Sequence, residues 1–395
     1  MRKLLRRTGT FLLFAVVALC FTPTLLPIFL DRIYYRGPAS DHFDGDRFAN
    51  PGAPRESGPH GPPTRFLNRW LTSEGRTAWP EHVPVRQTRP PPRVDGDRML
   101  VTWIGHATVL VQTEGLNILT DPIWSEVASP FAPLGPNRVR SPGVRFEDLP
   151  RIDLVLISHN HYDHLDLPTL KRLWARDRPA IVTGLGNDAI LKSARVPARS
   201  GDWGDKISIF DRCPPTARCA PKAQVRIERV QHWSSRWGTD RNRALWSGFS
   251  ILLPGGNIFF AGDTGWGDGS WADEAGRNGP IRLAILPIGA YEPREVMKSN
   301  HVDPVEAVAA FERLQPTMAL GVHWGTFQLT FEPIGDPPRR LAAALGARGV
   351  DPRRFVATEV GRTFRVPASP GQSGAARRDG SGSATESRGS RSRRP

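Results

Sequence analysis

Residues Ile152–Asp166 read IDLVLISHNHYDHLD, and this stretch decides the fold. Leu154–Ile157 is a short, wholly apolar run of the kind that forms a strand buried on both faces. It leads into Ser158 and then into four side chains able to bind a metal: His159, His161, Asp163 and His164. His159 and His161 alternate, so at a strand end they can converge from one side. Asp163 and His164 follow on the turn, and Leu165 opens the next helix. Three imidazoles and a carboxylate from a single segment exceed what one tetrahedral ion needs, which argues for two ions. Without an ion, nothing explains such crowding at one strand end.

Further donors follow later apolar runs. His232 comes after Val225–Val230, Asp263 ends NIFFAGD, and His323 ends MALGVH. Each sits where a strand of an open α/β sheet delivers its C-terminal end, the usual edge for ligand binding. With the first four they make a set of seven.

Short β-rich runs recur from Met99 onward: Leu100–Ile104, Val109–Gln112, Asn117–Thr120, Asp153–Ser158, Ala180–Thr183, Ile207–Phe210, Val225–Val230, Phe249–Leu253, Ile258–Ala261, Leu283–Pro287 and Met318–Val322. Helical stretches are expected over Leu167–Asp177, Pro304–Leu314 and Pro338–Leu345, with Asp303 as N-cap before a proline at the first helical position. Strands in quick succession, then strand–helix alternation, suit an α/β fold of two sheets packed face to face with helices outside. The hydrolase domain is expected over 99–365. Residues 31–98, rich in Pro and Arg, read as an extended arm that wraps the domain or links it to a membrane. Residues 366–395 are a Ser/Gly/Arg-rich tail expected to be disordered.

The net charge of +14 suggests nucleic acid until it is located. Arg2, Lys3, Arg6 and Arg7 carry four of the charges, and the tail contributes a net four more, so +6 remains for everything between. No basic groove for a phosphate backbone is demanded, and no nucleic-acid partner is expected. Phe11–Leu30 is free of charge and follows the N-terminal basic cluster. About twenty helical residues span a bilayer core, so residues 1–30 read as a membrane anchor or signal segment. An uncleaved anchor is preferred for want of a clear cleavage site. The basic flank then puts the catalytic domain on the non-cytoplasmic side. Of three cysteines, Cys213 and Cys219 share a Pro-rich loop and leave a small disulfide open.

The H-x-H-x-D-H pattern with a later His, Asp and His resembles the metallo-β-lactamase superfamily. The blocks IGHATVLV, LTDPI, GPNRVR, LISHNHYDHLD, QHW, FFAGDTG, PIGAYEPR, HVDP and HWGTF narrow the resemblance to the N-acylphosphatidylethanolamine-hydrolysing phospholipase D family. The resemblance implies an αββα sandwich of the metallo-β-lactamase type. It also implies two zinc ions, with other first-row divalent metals open. By it, His159, His161 and His232 hold one ion, Asp163, His164 and His323 the other, and Asp263 bridges them. Two cations lower the pKa of a shared water enough to give hydroxide near neutral pH. Asp163 then orients that group or takes its proton, and His301 approaches the substrate, binding phosphate or protonating the leaving group. His106 and Asp121 are expected to orient ligand imidazoles, and Tyr162 and Tyr291 to line the pocket or pack. Trp233, Trp237, Trp246, Trp266 and Trp271 either form an apolar entrance for acyl chains or fill the core. The substrate implied is a phospholipid at a membrane, and a homodimer is suggested. A sugar-phosphate lactone or a nucleic acid stands as the alternative substrate, and a tethered scaffold with a vestigial site as the non-enzymatic reading.

Overall fold

The structure, a computed structural model, describes residues 7–8, 10–18, 29–52, 68–69, 72, 74–210 and 220–369. Two seven-stranded sheets face each other. The first runs β14 (Thr363–Val366), β1 (Met99–Gly105), β2 (Thr108–Thr113), β3 (Leu116–Thr120), β4 (Leu154–Ile157), β5 (Ala180–Gly184) and β6 (Arg199–Gly201). The second runs β13 (Phe355–Val356), β12 (Met318–Val322), β11 (Ile281–Pro287), β10 (Asn257–Phe260), β9 (Gly248–Leu252), β8 (Ala223–Glu228) and β7 (Lys206–Ile209). Each sheet is antiparallel in one half and parallel in the other, with β3–β4–β5–β6 and β10–β11–β12–β13 as the parallel parts.

The two-residue period of a strand explains the layering. Val109 and Val111 of β2, Leu154 and Leu156 of β4, and Val182 of β5 face the second sheet, where Val225, Ile251, Phe260 and Ile285 meet them in one apolar core. The intervening Leu110, Val155, Ile157 and Ile181 point outward onto Leu170 and Leu173 of the helix Leu167–Asp177. The helices Pro304–Leu314 and Asp336–Arg348 cover the outer face of the second sheet. The expected αββα sandwich is the observed one. Asp303 caps its helix with a full capping box, accepting from Val305 and Glu306 N while Glu306 bonds back.

Three strands escaped the sequence reading: β6, β13 and β14. They are short edge strands with little apolar alternation, so pairing rather than pattern defines them. The arm's described part is ordered by polar contacts with the domain. Tyr34 Oη donates to Asp240 at 2.7 Å, Asp31 pairs with Arg243 at 2.8 Å, and Phe48 N donates to Asn242 O at 2.8 Å. No helix among the described residues is long and apolar enough to cross a membrane. Of the span Phe11–Leu30 expected as a transmembrane helix, residues 11–18 and 29–30 are helical and residues 19–28 lie outside the described residues. Cys213, Cys219 and the tail beyond residue 369 also lie outside them.

Candidate metal centre

Every candidate donor follows the end of a strand. β4 delivers Ser158 through His164, β8 leads to His232, β10 to Asp263 and β12 to His323. The turn between β1 and β2 carries His106, and β3 ends at Asp121. All are buried.

The structure brings the seven predicted donors together around one carboxylate oxygen. Asp263 Oδ2 lies 3.1 Å from His323 Nε2 and 3.2 Å from His164 Nε2 on one side. On the other it lies 3.8 Å from His232 Nε2 and 4.0 Å from His159 Nε2. His161 Nδ1 completes the second group, 2.8 Å from His159 Nε2 and 3.4 Å from His232 Nε2. Asp163 Oδ2 completes the first, 3.2 Å from His164 Nε2 and 3.5 Å from His323 Nε2. Donor atoms within each group lie inside 4.8 Å of one another.

The rings are aimed from behind. Ser158 Oγ lies 2.9 Å from His159 Nδ1, Asp121 Oδ2 lies 2.7 Å from His164 Nδ1, and the Asn300 carbonyl lies 2.9 Å from His232 Nδ1. With Nδ1 engaged outward, each ring turns its Nε2 lone pair to the centre. His106 does the same for a carboxylate, its Nε2 2.8 Å from Asp163 Oδ2. Asp121 thus lies against a ligand imidazole, as expected, whereas His106, expected against an imidazole, meets the Asp163 carboxylate. The role of Ser158 was missed: it also donates N–H and Oγ–H to Asp121, at 2.7 and 2.5 Å. His106, Asp121 and His323 adopt positive φ, at 53°, 30° and 64°. Non-glycine residues rarely do so, and such strain gathers at functional sites.

The electrostatics fit a cation. Burial disfavours charge on Asp163 and Asp263, yet the adjacent His164 holds both well below the usual carboxylate range. Burial opposes charge on His164 and His323 too, but Asp263 and Asp163 outweigh it. His164 is held well above the ordinary imidazole value, and His323 is pushed up to about 9. Burial keeps His159 and His232 well below that value and His161 down to about 4. The centre thus favours ionised carboxylates and calls for positive charge beside them. Asp263 Oδ1 and His323 Nδ1, both buried, find no hydrogen-bond partner among the described residues. Imidazole nitrogens and carboxylate oxygens in this number are a donor set for first-row divalent ions.

Around the centre the remaining predictions divide. His301 is buried with Nδ1 4.0 Å from Asp263 Oδ2, at the rim of the cluster. Tyr162 lines a cavity of about 560 Å³ beside the metal turn, with Leu165, Leu167, Ile190, Pro130 and Trp237. Tyr291 is not brought there: it is buried, and its hydroxyl donates to Asp336 at 2.5 Å. The tryptophans divide too. Trp233 packs edge-on against His161 at 4.3 Å, and Trp237 faces Phe131 at 6.4 Å near the cavity. Trp246, Trp266 and Trp271 are packing residues of the core. Arg241 places its guanidinium 4.2 Å above the Trp233 ring, a charge near the centre that no motif announced.

Comparison with known proteins bears on the family and the fold. Residues 116–324 match the beta-lactamase superfamily domain. The chain is 35% identical over 279 residues to the N-acyl-phosphatidylethanolamine-hydrolyzing phospholipase D 1 of Caenorhabditis elegans, covering 68% of this chain and 76% of that one. It is 31% identical over 265 residues to the mitochondrial N-acyl-phosphatidylethanolamine-hydrolyzing phospholipase D of Saccharomyces cerevisiae, covering 66% of this chain but only 55% of the yeast one. Among solved structures, Igni18, a metallo hydrolase of Ignicoccus hospitalis, superposes with a TM-score of 0.51 at 20% identity, over 69% of this chain and 100% of that one, a likeness of fold.

Proposed function

The chain belongs to the metallo-β-lactamase superfamily of metal-dependent hydrolases, and from that premise we propose that it is a zinc phosphodiesterase of phospholipase D type. Its substrates are N-acylphosphatidylethanolamine-like lipids. The observation that carries the reading is Asp263 Oδ2 standing between two groups of donors. His159, His161 and His232 would hold one zinc and Asp163, His164 and His323 the other, with Asp263 available to both. When bound, the ions supply Lewis-acid stabilisation of the charge that builds on a phosphoryl group under attack by water.

The chain's own residues do the rest. Burial pushes His106 down to about 3, so it is neutral and donates Nε2–H to Asp163 Oδ2. That bond fixes the Asp163 carboxylate, which stays ionised and accepts the proton of the attacking water. His301 is likewise kept neutral by burial, at about 3. A neutral imidazole at the rim binds a phosphoryl oxygen by an N–H bond and does not act as a cationic acid. As the water oxygen bonds to phosphorus, the bond between phosphorus and the N-acylethanolamine oxygen breaks, and the proton taken by Asp163 passes to that oxygen, giving N-acylethanolamine and phosphatidic acid. The apolar cavity beside Tyr162 suits an acyl chain. Phe131 and Leu134, 64% and 72% exposed on the adjacent loop, suit a lipid surface, as do Phe11, Leu12 and Phe14 of the N-terminal helix.

Purified protein should be offered N-acylphosphatidylethanolamine in detergent, a sugar-phosphate lactone and an oligonucleotide, with and without chelator. Release of phosphatidic acid that stops on chelation supports the reading. Turnover of the lactone or oligonucleotide in preference to the lipid would replace it.

A further inference from the structure

Asn50 belongs to the arm, outside residues 116–324 that match the superfamily domain. Its carboxamide pairs with both main-chain groups of His232. Nδ2 donates to the His232 carbonyl at 2.8 Å, and His232 N donates to Oδ1 at 3.3 Å. Oδ1 also accepts from Trp246 Nε1 at 3.0 Å, and that indole donates in turn to Val230 O at 3.1 Å. One side chain thereby does what a neighbouring strand would do.

The position of His232 makes this necessary. β8 ends at Glu228, and beyond it the described main chain is paired through a bridge from Gln231 to Gly265 and then through Asn242 N to Ser234 O at 2.7 Å. His232 lies between these two pairings, where a backbone without a partner would wander. Its ring is held separately by the Asn300 carbonyl at 2.9 Å. Asn50 is itself immobilised, because the arm is pinned to the segment that follows His232. Arg47 bonds the Arg241 carbonyl, Phe48 N donates to Asn242 O at 2.8 Å, and Arg243 grips Asp31 at 2.8 Å. Arm, ligand loop and indole form one connected network.

We propose that Asn50 is a positioning residue of the metal centre, through which the N-terminal arm fixes His232. This rests on the reading of His232 as a ligand of one of two ions. Removing the amide frees the main chain of His232 but touches no donor of the other group. Loss of an orienting partner behind a metal ligand typically costs roughly ten- to hundredfold in affinity.

The test uses the full chain and Zn²⁺ alone, titrated against a chromophoric chelator, for wild type, Asn50→Ala and the isosteric Asn50→Asp. Asn50→Asp keeps the acceptor, loses the N–H donated to the His232 carbonyl and sets a carboxylate oxygen against that carbonyl. The expected result is two ions on the wild type, with one weakened roughly ten- to hundredfold in both variants and the other nearly unchanged. Unaltered affinity for both ions in folded Asn50→Asp overturns the inference, as does equal weakening of both, which marks a general loss of stability. If Asn50→Ala does not fold, Asn50→Asp alone decides. A wild type that holds fewer than two ions overturns the underlying assignment instead.

Discussion

Asp121 Oδ2 lies 2.7 Å from His164 Nδ1, and both side chains are wholly buried. The other carboxylate oxygen accepts the Ser158 N–H at 2.7 Å, so Asp121 ties the first ligand segment to the strand before it. Asp121→Asn must fail at one of these contacts. If its oxygen faces His164, its NH2 opposes the Ser158 N–H. If the amide turns over, His164 has to carry its proton on Nε2, the atom aimed at the centre. A buried polar group left unpaired costs about 1–3 kcal/mol. The variant should fold, and should bind metal roughly ten- to hundredfold more weakly. Metal content after dialysis against a buffered chelator measures this; wild-type retention would show that the pair does not orient His164.

Asp263 and His232 should differ in kind. Asp263 Oδ2 approaches ring nitrogens of both groups, from 3.1 Å at His323 to 4.0 Å at His159. His232 belongs to one group only. Asp263→Asn should therefore weaken both ions, and His232→Ala one. Both should abolish lipid hydrolysis, so stoichiometry and not rate separates them. Two ions retained by Asp263→Asn at wild-type affinity would remove the bridging role.

Gly289 has no side chain because the His323 carbonyl occupies the space. A Cβ there would overlap that oxygen and crowd the Trp324 Cβ at 3.0 Å. His323 already holds a φ of 64°, and its N–H donates to His106 O at 3.0 Å. Gly289→Ala should push the ligand off position, lowering kcat and metal affinity together, with an overpacking penalty of about 1–3 kcal/mol. Thermal unfolding and metal titration of the same preparation check both halves. Unchanged metal affinity would mean that the backbone yields elsewhere.

What the sequence made legible follows from what each residue does locally. His159, His161, Asp163 and His164 stand within one turn, so their convergence needed no knowledge of the fold. His232, Asp263 and His323 were legible because each ends an apolar run, and strand ends meet at one edge. Asn50 was not legible. Its role depends on an arm folding back on a loop far along the chain, and no spacing encodes that. Tyr291, read as lining the pocket or packing, packs, with its hydroxyl committed to Asp336. Of the two readings open for the tryptophans, core packing holds for Trp246, Trp266 and Trp271. Only Trp233 and Trp237 stand near the centre or the cavity.

His42 gives the arm a pH-dependent hold on the domain. Its ring stacks on Trp203 at 4.4 Å, with Nε2 2.7 Å from Asp202 and Nδ1 2.6 Å from Asp41. Burial opposes its charge, but the Asp202 and Asp41 carboxylates outweigh that and raise its pKa above 6.5. A raised imidazole pKa stabilises the fold fully below the unfolded value and ceases to do so as pH rises through the folded value. Wild type should therefore exceed His42→Gln in Tm most at about pH 6, and the gap should shrink toward about pH 9. The residual gap at high pH measures the stacking and hydrogen bonds that neutral His42 keeps. A gap constant across that range would show that His42 is neutral throughout, and that the arm is held there without a charge pair.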